Sequence, residues 1–133
     1  MLRHGRVARL ATADVGGQPL VVPVCYALLD GLVYSAVDAK PKRTRSLRRL
    51  ANVAVNPRVS LVVDHYDEDW TRLRWVMAEG VATVLTGGDD FARGIDALAA
   101  KYPQYLTLGL SRDSGAVIRI APTRILSWRW SES

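Results

Sequence analysis

From Val7 onward the chain is cut into short β-type runs by glycine, proline and aspartate turns, and this punctuation constrains the fold more than any other feature. Val7 to Thr12 (VARLAT) alternates apolar with polar or small residues, Asp14-Val15-Gly16-Gly17 follows, and Pro19 to Leu28 (PLVVPVCYAL) is dense in valine. Two such runs around a Gly-Gly turn predict a hairpin. Pro19 and Pro23 lack the N–H that a ladder requires, so an edge, a bulge or an irregular start is expected in the second strand. Asp30-Gly31 is a further turn signal, leading into Leu32 to Val37 (LVYSAV) as a third strand. Val59 to Val63 reads as a fourth, and Arg72 to Leu85 as a long strand bent or bulged at Gly80. Ala116 to Pro122 and Arg124 to Trp130 read as two closing strands joined at Pro122-Thr123.

Helical spacing intrudes twice. Leu47, Leu50 and Ala51 share a helix face opened by Arg43 or Thr44 and ended by Asn56-Pro57. Phe91, Ile95, Leu98 and Ala99 mark a second helix from the Gly87-Gly88-Asp89-Asp90 turn to about Lys101, whereas Tyr102 to Gly109 matches neither period. Six or seven strands with two short helices predict a mainly β architecture, a closed or half-closed barrel. A length of 133 residues suits one core, so residues 1–133 are expected to form a single domain.

The charge pattern is local. Of the 18 Lys and Arg, six (Lys40, Lys42, Arg43, Arg45, Arg48 and Arg49) fall within ten residues that contain no acid. The remainder of the chain is close to neutral, and a single focus of charge predicts one anionic group bound at one place rather than a polyanion. The segment runs from a strand end to a helix start, where free backbone N–H groups and a partial positive charge favour phosphate. Lys42, Arg43 and the Thr44 hydroxyl are the expected cradle for that phosphate. The bland alternative is a solvated basic helix face. Arg45, Arg48, Arg49 and Arg58 with Trp70 and Trp75 as stacking rings would suit a nucleic acid, but no nucleic-acid-binding signature accompanies them, and none is expected as a partner.

Other chemistries find little support. The one cysteine, Cys25, excludes an internal disulfide, and with two distant histidines (His4 and His65) it offers no metal-ligand spacing. Asp64, Asp67, Glu68 and Asp69 lack the glycine and distal glutamate of a calcium loop. No nucleophile–base pair stands out, so any reactive centre is expected to belong to a cofactor and no catalytic residue is assigned. No apolar run spans a bilayer, and a cytoplasmic location is expected. Tryptophans mostly fill cores and subunit contacts, yet Trp70 and Trp75 beside Arg72 and Arg74 are suited to walling a planar ring.

The order of these motifs resembles the pyridoxamine 5′-phosphate oxidase-like split-barrel superfamily, and within it the branch that uses the deazaflavin coenzyme F420. The residues that carry the resemblance are Val7 to Asp14 with Gly17 and Pro19, Val37 to Thr44 leading to Leu47-Arg48-Arg49, Asn56 to Leu61, Asp64-His65-Tyr66, Asp69-Trp70 and Ala78-Glu79-Gly80. The resemblance implies a six-stranded split barrel of the FMN-binding type, dimeric, with two cofactor sites along the subunit interface. It implies that Lys42, Arg43 and Thr44 grip the cofactor phosphate, with Lys40 and Arg45 nearby and Ser35 and Ala36 lining the adjoining strand. It further implies that Pro23, Val24 and Cys25 lie near the ring and that Trp70, Arg72 and Trp75 reach across from the partner. Relatives carry a short helix before the first strand, where here Met1 to Arg6 precede Val7. The expected activity is hydride transfer between reduced F420 and a small organic substrate, because six positive charges exceed what one phosphate needs and suit the acidic F420 tail. FMN in an oxidase or reductase of the same fold, or a non-enzymatic F420 carrier, are the alternatives.

Overall fold

The computed structural model describes residues 1–37, 44–108 and 115–131. Its strands are β1 (Ala8–Ala13), β2 (Pro19–Val24), β3 (Ala27–Leu29), β4 (Leu32–Val37), β5 (Arg58–His65), β6 (Arg74–Leu85) and β7 (Ala116–Arg129). The helices are α1 (Thr44–Val55), α2 (Gly88–Lys101) and α3 (Gln104–Leu108). All seven strands form one antiparallel sheet in the order β2-β1-β5-β6-β7-β4-β3. Its two edge strands, β2 and β3, are consecutive in the chain and separated by Cys25 and Tyr26 alone. A two-residue link reaches about 10 Å at most, so the sheet must curl until its edges meet. That closure makes a mainly β split barrel.

Two turns follow from their residues. Asp14 Oδ1 accepts from the backbone of Gly16 and of Gln18, each at 2.9 Å, and Gly17 closes the β1–β2 hairpin at φ +88°. Asp30 and Gly31 both take positive φ, the geometry of a two-residue turn matched to strand twist.

The strand count corrects the sequence reading in two places. The run Pro19 to Leu28 is two strands, because the chain crosses from one sheet edge to the other at Cys25-Tyr26. The last two expected strands are one continuous β7: opposite the Glu79–Gly80 step of β6 the register shifts by one residue, leaving Thr123 as the extra residue on β7, and Gly80 faces Pro122. A Cβ on Gly80 would stand 2.6 Å from the Ala121 carbonyl oxygen, so glycine is required where the two strands are drawn together. The sheet therefore has seven strands rather than six.

Apolar residues of alternating parity fill the barrel, among them Leu10, Leu61, Val33, Ile118 and Ile120, with α1 contributing Val53. Asn52 Nδ2 on α1 donates to Thr12 Oγ1 at 3.0 Å, both residues being buried, which fastens this helix to β1. A second cluster lies on the opposite side of β3, β4 and β7, where α2 packs Phe91, Ile95 and Leu98 against Tyr34 and Val117. Tyr34 donates to Asp90 at 2.6 Å, and Arg119 donates to the other oxygen of the same carboxylate. These bonds hold the Asp90 carboxyl below the usual range and fix the first turn of α2, while burial pushes Tyr34 up to about 12. Among the described residues, the outer face of β2, β1, β5, β6 and the C-terminal half of β7 carries no helix.

Candidate functional site

The basic segment joins the end of β4 at Val37 to the start of α1 at Thr44. Lys40, Lys42 and Arg43 lie outside the described residues; of Thr44 and Arg45 the helical backbone is described, in the first turn of α1. That turn contains no acidic residue.

On β4, Ser35 faces the barrel interior with Val33 and Val37, and its buried hydroxyl has no hydrogen-bond partner among the described residues. Ala36 faces the α2 side and is half-buried, so the two line opposite faces of the strand. On β2, Pro23 is exposed on the outer face opposite Arg9, and Val24 is buried in the core. Cys25 is half-buried in the α2 cluster.

Trp70 and Arg72 are exposed in a short 3-10 turn before β6. The acidic loop preceding it caps its own backbone: Asp67 accepts from Asp69 N at 2.8 Å, and Asp69 accepts from the Thr71 backbone and hydroxyl at 3.2 and 2.7 Å. The Thr71 bonds draw the Asp69 carboxyl down. Trp70 Nε1 donates to Tyr66 Oη at 3.4 Å. Trp75 is half-buried on the bare outer face, directly opposite Trp128 on β7. Trp70, Arg72 and Trp75 thus cluster at one end of that face, whereas Cys25 and Ala36 belong to the side covered by α2.

Two features escaped the sequence reading. The first is an open groove of about 620 Å³ across the bare face, lined by small residues (Ala11, Ala13, Ser60 and Gly80) and carrying Arg58, Glu79 and Thr123. The outward parity of Ala11, Ala13 and Ser60 was available from strand alternation, but nothing local revealed that their rows adjoin. The second is a cluster around Cys25, assembled from the N-terminal segment, the β2–β3 link, α1, α2 and α3. The Tyr102 hydroxyl accepts from Tyr26 N at 3.2 Å and lies 2.9 and 3.0 Å from the carbonyls of Arg6 and Tyr26, to which it donates. The Arg6 guanidinium sits 4.5 Å from the Tyr102 ring centre and donates to the Lys101 carbonyl at 3.2 Å. Lys101 Nζ stands 3.9 Å from the Tyr26 ring centre and 5.4 Å from that of Tyr102. Burial, with Arg6 adding, pushes the Lys101 amine down to about 8. Tyr105 packs edge-on to Tyr102 with ring centres 5.8 Å apart and hydrogen-bonds the Cys25 side chain; burial pushes it up to about 12.

A curled antiparallel sheet with α1 fastened to its inner side and a ligand-sized groove on its bare face defines a split barrel. The family model of pyridoxamine 5′-phosphate oxidase matches residues 1–129, and the chain belongs to that family. Similar solved structures include the conserved hypothetical protein Rv2991 from Mycobacterium tuberculosis, at 24% identity and a TM-score of 0.77, covering 96% of this chain and 79% of that one. An FAD-binding protein from Mesorhizobium loti is similar at 25% identity and a TM-score of 0.72, covering 95% of this chain and 85% of that one. HutZ, the heme storage protein from Vibrio cholerae, is similar at 15% identity and a TM-score of 0.73, covering 93% and 85%, and at that identity shares the fold alone. No curated protein matches significantly. Among the described residues no helix is long and apolar enough to cross a membrane.

Proposed function

We propose that this chain is an F420-dependent oxidoreductase that works as a homodimer on a small organic substrate. The observation that carries the reading is the β4–α1 junction of a family member: six basic residues within ten, in a stretch that runs from a strand end into a helix whose first turn has no acid. Lys42, Arg43 and Thr44 would grip the phosphate, with Lys40 and Arg45 beside them, and the excess charge matches the acidic tail that distinguishes F420 from FMN. A groove of about 620 Å³ falls within the range of small-molecule sites and is large enough to take part of a tricyclic ring. Pro23, exposed on the same outer face as the groove, would border the ring, whereas Cys25 lies on the side covered by α2 and is not part of this reading; Trp70, Arg72 and Trp75 would approach from the partner, whose own bare face closes over the groove. When bound, F420 supplies the carbon that carries the hydride; the protein supplies position, a dry surface and the phosphate grip.

A side-by-side titration of the purified protein with F420 and FMN tests the reading. Quenching of F420 fluorescence at lower concentration than FMN supports it; a yellow protein preferring FMN makes it a flavin oxidase or reductase instead. Tight F420 binding with no turnover of reduced F420 against enone and quinone acceptors makes it a carrier. Arg43→Ala should weaken binding by about 1.5–3 kcal/mol through loss of a charge-assisted contact, and unchanged affinity would remove Arg43 from the grip.

A further inference from the structure

The groove on the bare face holds a cation and a carboxylate that do not neutralise each other. Arg58 and Ser60 point outward on β5, because Val59 and Leu61, which alternate with them, are buried in the barrel. The register sets Arg58 opposite Val81 and Ser60 opposite Glu79, so Arg58 and Glu79 are diagonal neighbours on one face. Diagonal neighbours stand roughly 7–8 Å apart, within reach of two long side chains. They do not meet. The Glu79 carboxylate lies 3.9 Å from Arg124 on β7, and Arg58 makes no ion pair among the described residues.

The register shift on β7 explains where Glu79 turns. Thr123, the extra residue, donates its hydroxyl to the Glu79 carbonyl at 3.2 Å, and Arg124 follows directly opposite Glu79. On the other side of β5, Ala11 and Ala13 present only methyl groups, which leave Arg58 and Ser60 uncovered. The guanidinium therefore stands unpaired at a groove of about 620 Å³ whose β1 wall is apolar. Its planar fork matches a carboxylate with two parallel hydrogen bonds, and the nearby Glu79 repels any second negative charge on the same molecule.

We propose that Arg58 determines specificity in this groove by selecting a small organic substrate that carries a single carboxylate, with Glu79 turning away doubly charged acids. The inference rests on the function proposed above in taking the bound acid as a substrate; the carboxylate grip itself needs no cofactor. Cinnamate, its neutral isostere cinnamamide and the dianion 4-carboxycinnamate, titrated calorimetrically into the full chain with and without F420, test it. Cinnamate should bind roughly tenfold tighter than either of the others, the preference over cinnamamide should vanish in Arg58→Gln, and Glu79→Gln should admit 4-carboxycinnamate. Equal binding of acid and amide, a preference that survives Arg58→Gln, or no saturable binding of cinnamate overturns the grip. A parent chain that binds 4-carboxycinnamate as well as cinnamate overturns the part given to Glu79. Should Arg58→Gln fail to fold, Arg58→Lys keeps the charge without the fork, and an undiminished preference in it overturns the proposal equally. Failure of the cofactor reading is separate: a chain that grips cinnamate through Arg58 yet quenches no F420 refutes that reading alone.

Discussion

Gly94 sits in the middle of α2, where intrinsic preference argues for alanine. Gly→Ala in a helix interior gains about 1 kcal/mol of helix propensity. The tertiary contact reverses that sign. A Cβ at position 94 would stand 2.5 Å from Tyr34 Cδ2 and 3.2 Å from two further ring carbons. The ring has nowhere to go: Tyr34 is fully buried and its hydroxyl is bonded to Asp90 at 2.6 Å. Overpacking of this kind costs about 1–3 kcal/mol, and swinging the ring away forfeits a charge-assisted bond of about 1.5–3 kcal/mol. Net of propensity, Gly94→Ala is expected to destabilise by about 0.5–2 kcal/mol, lowering Tm by about 2–8 °C for a chain of this size. Urea unfolding followed by circular dichroism measures it, with the midpoint falling at unchanged m-value. In a Tyr34→Ala background the space opens, and the same substitution should become stabilising by about 1 kcal/mol. An equal or higher Tm for Gly94→Ala in the parent chain would refute the close packing of α2 on β4, and with it the placement of Lys101 and Tyr102 at the far end of that helix.

The remaining expectations concern the same framework. Thr12→Val should cost about 1–3 kcal/mol, because it strands the buried Asn52 amide, and it should also weaken cofactor binding by loosening α1, both readable in one thermal-shift titration. The Lys101 amine, lowered to about 8, is neutral in the folded chain while still charged in the unfolded chain between about pH 8 and 10. The unfolded state binds more protons there, so stability rises with pH across that window; Lys101→Met should abolish the rise, and an unaltered pH profile would contradict it. Above pH 10 the raised Tyr26, Tyr34 and Tyr105 hydroxyls act oppositely and reverse the trend. Asp90, depressed by Tyr34 and Arg119, contributes stability that is present above about pH 4 and lost below it. Asp90→Asn should therefore lower stability at neutral pH by about 1 kcal/mol and flatten the acid limb, as acid titration of the unfolding midpoint will show.

Local chemistry was legible in the residues themselves. The Gly16-Gly17 and Asp30-Gly31 turns, the bulge at Gly80 and the periods of α1 and α2 all depend on neighbours within a few positions. The concentration of charge from Lys40 to Arg49 was equally plain, since a charge count needs no coordinates. The errors arose where a distant partner decided the outcome. Pro122 read as a strand break, but a one-residue register shift at Thr123, opposite the Glu79–Gly80 step of β6, lets β7 run on. Pro19 to Leu28 read as one strand, but closure of the sheet requires the chain to change edges at Cys25.

The sequence by itself determined a β-rich chain with a basic strand-to-helix junction, because strand alternation, turn conformation and net charge are properties of short segments. Only the tertiary structure decided which faces of those strands are bare, which glycine admits a tyrosine ring, and which residues surround Cys25. The Tyr102 hydroxyl bonds Tyr26 and Arg6 across 76 and 96 positions. Contacts of that span are set by sheet register and closure, and no window of the sequence encodes them.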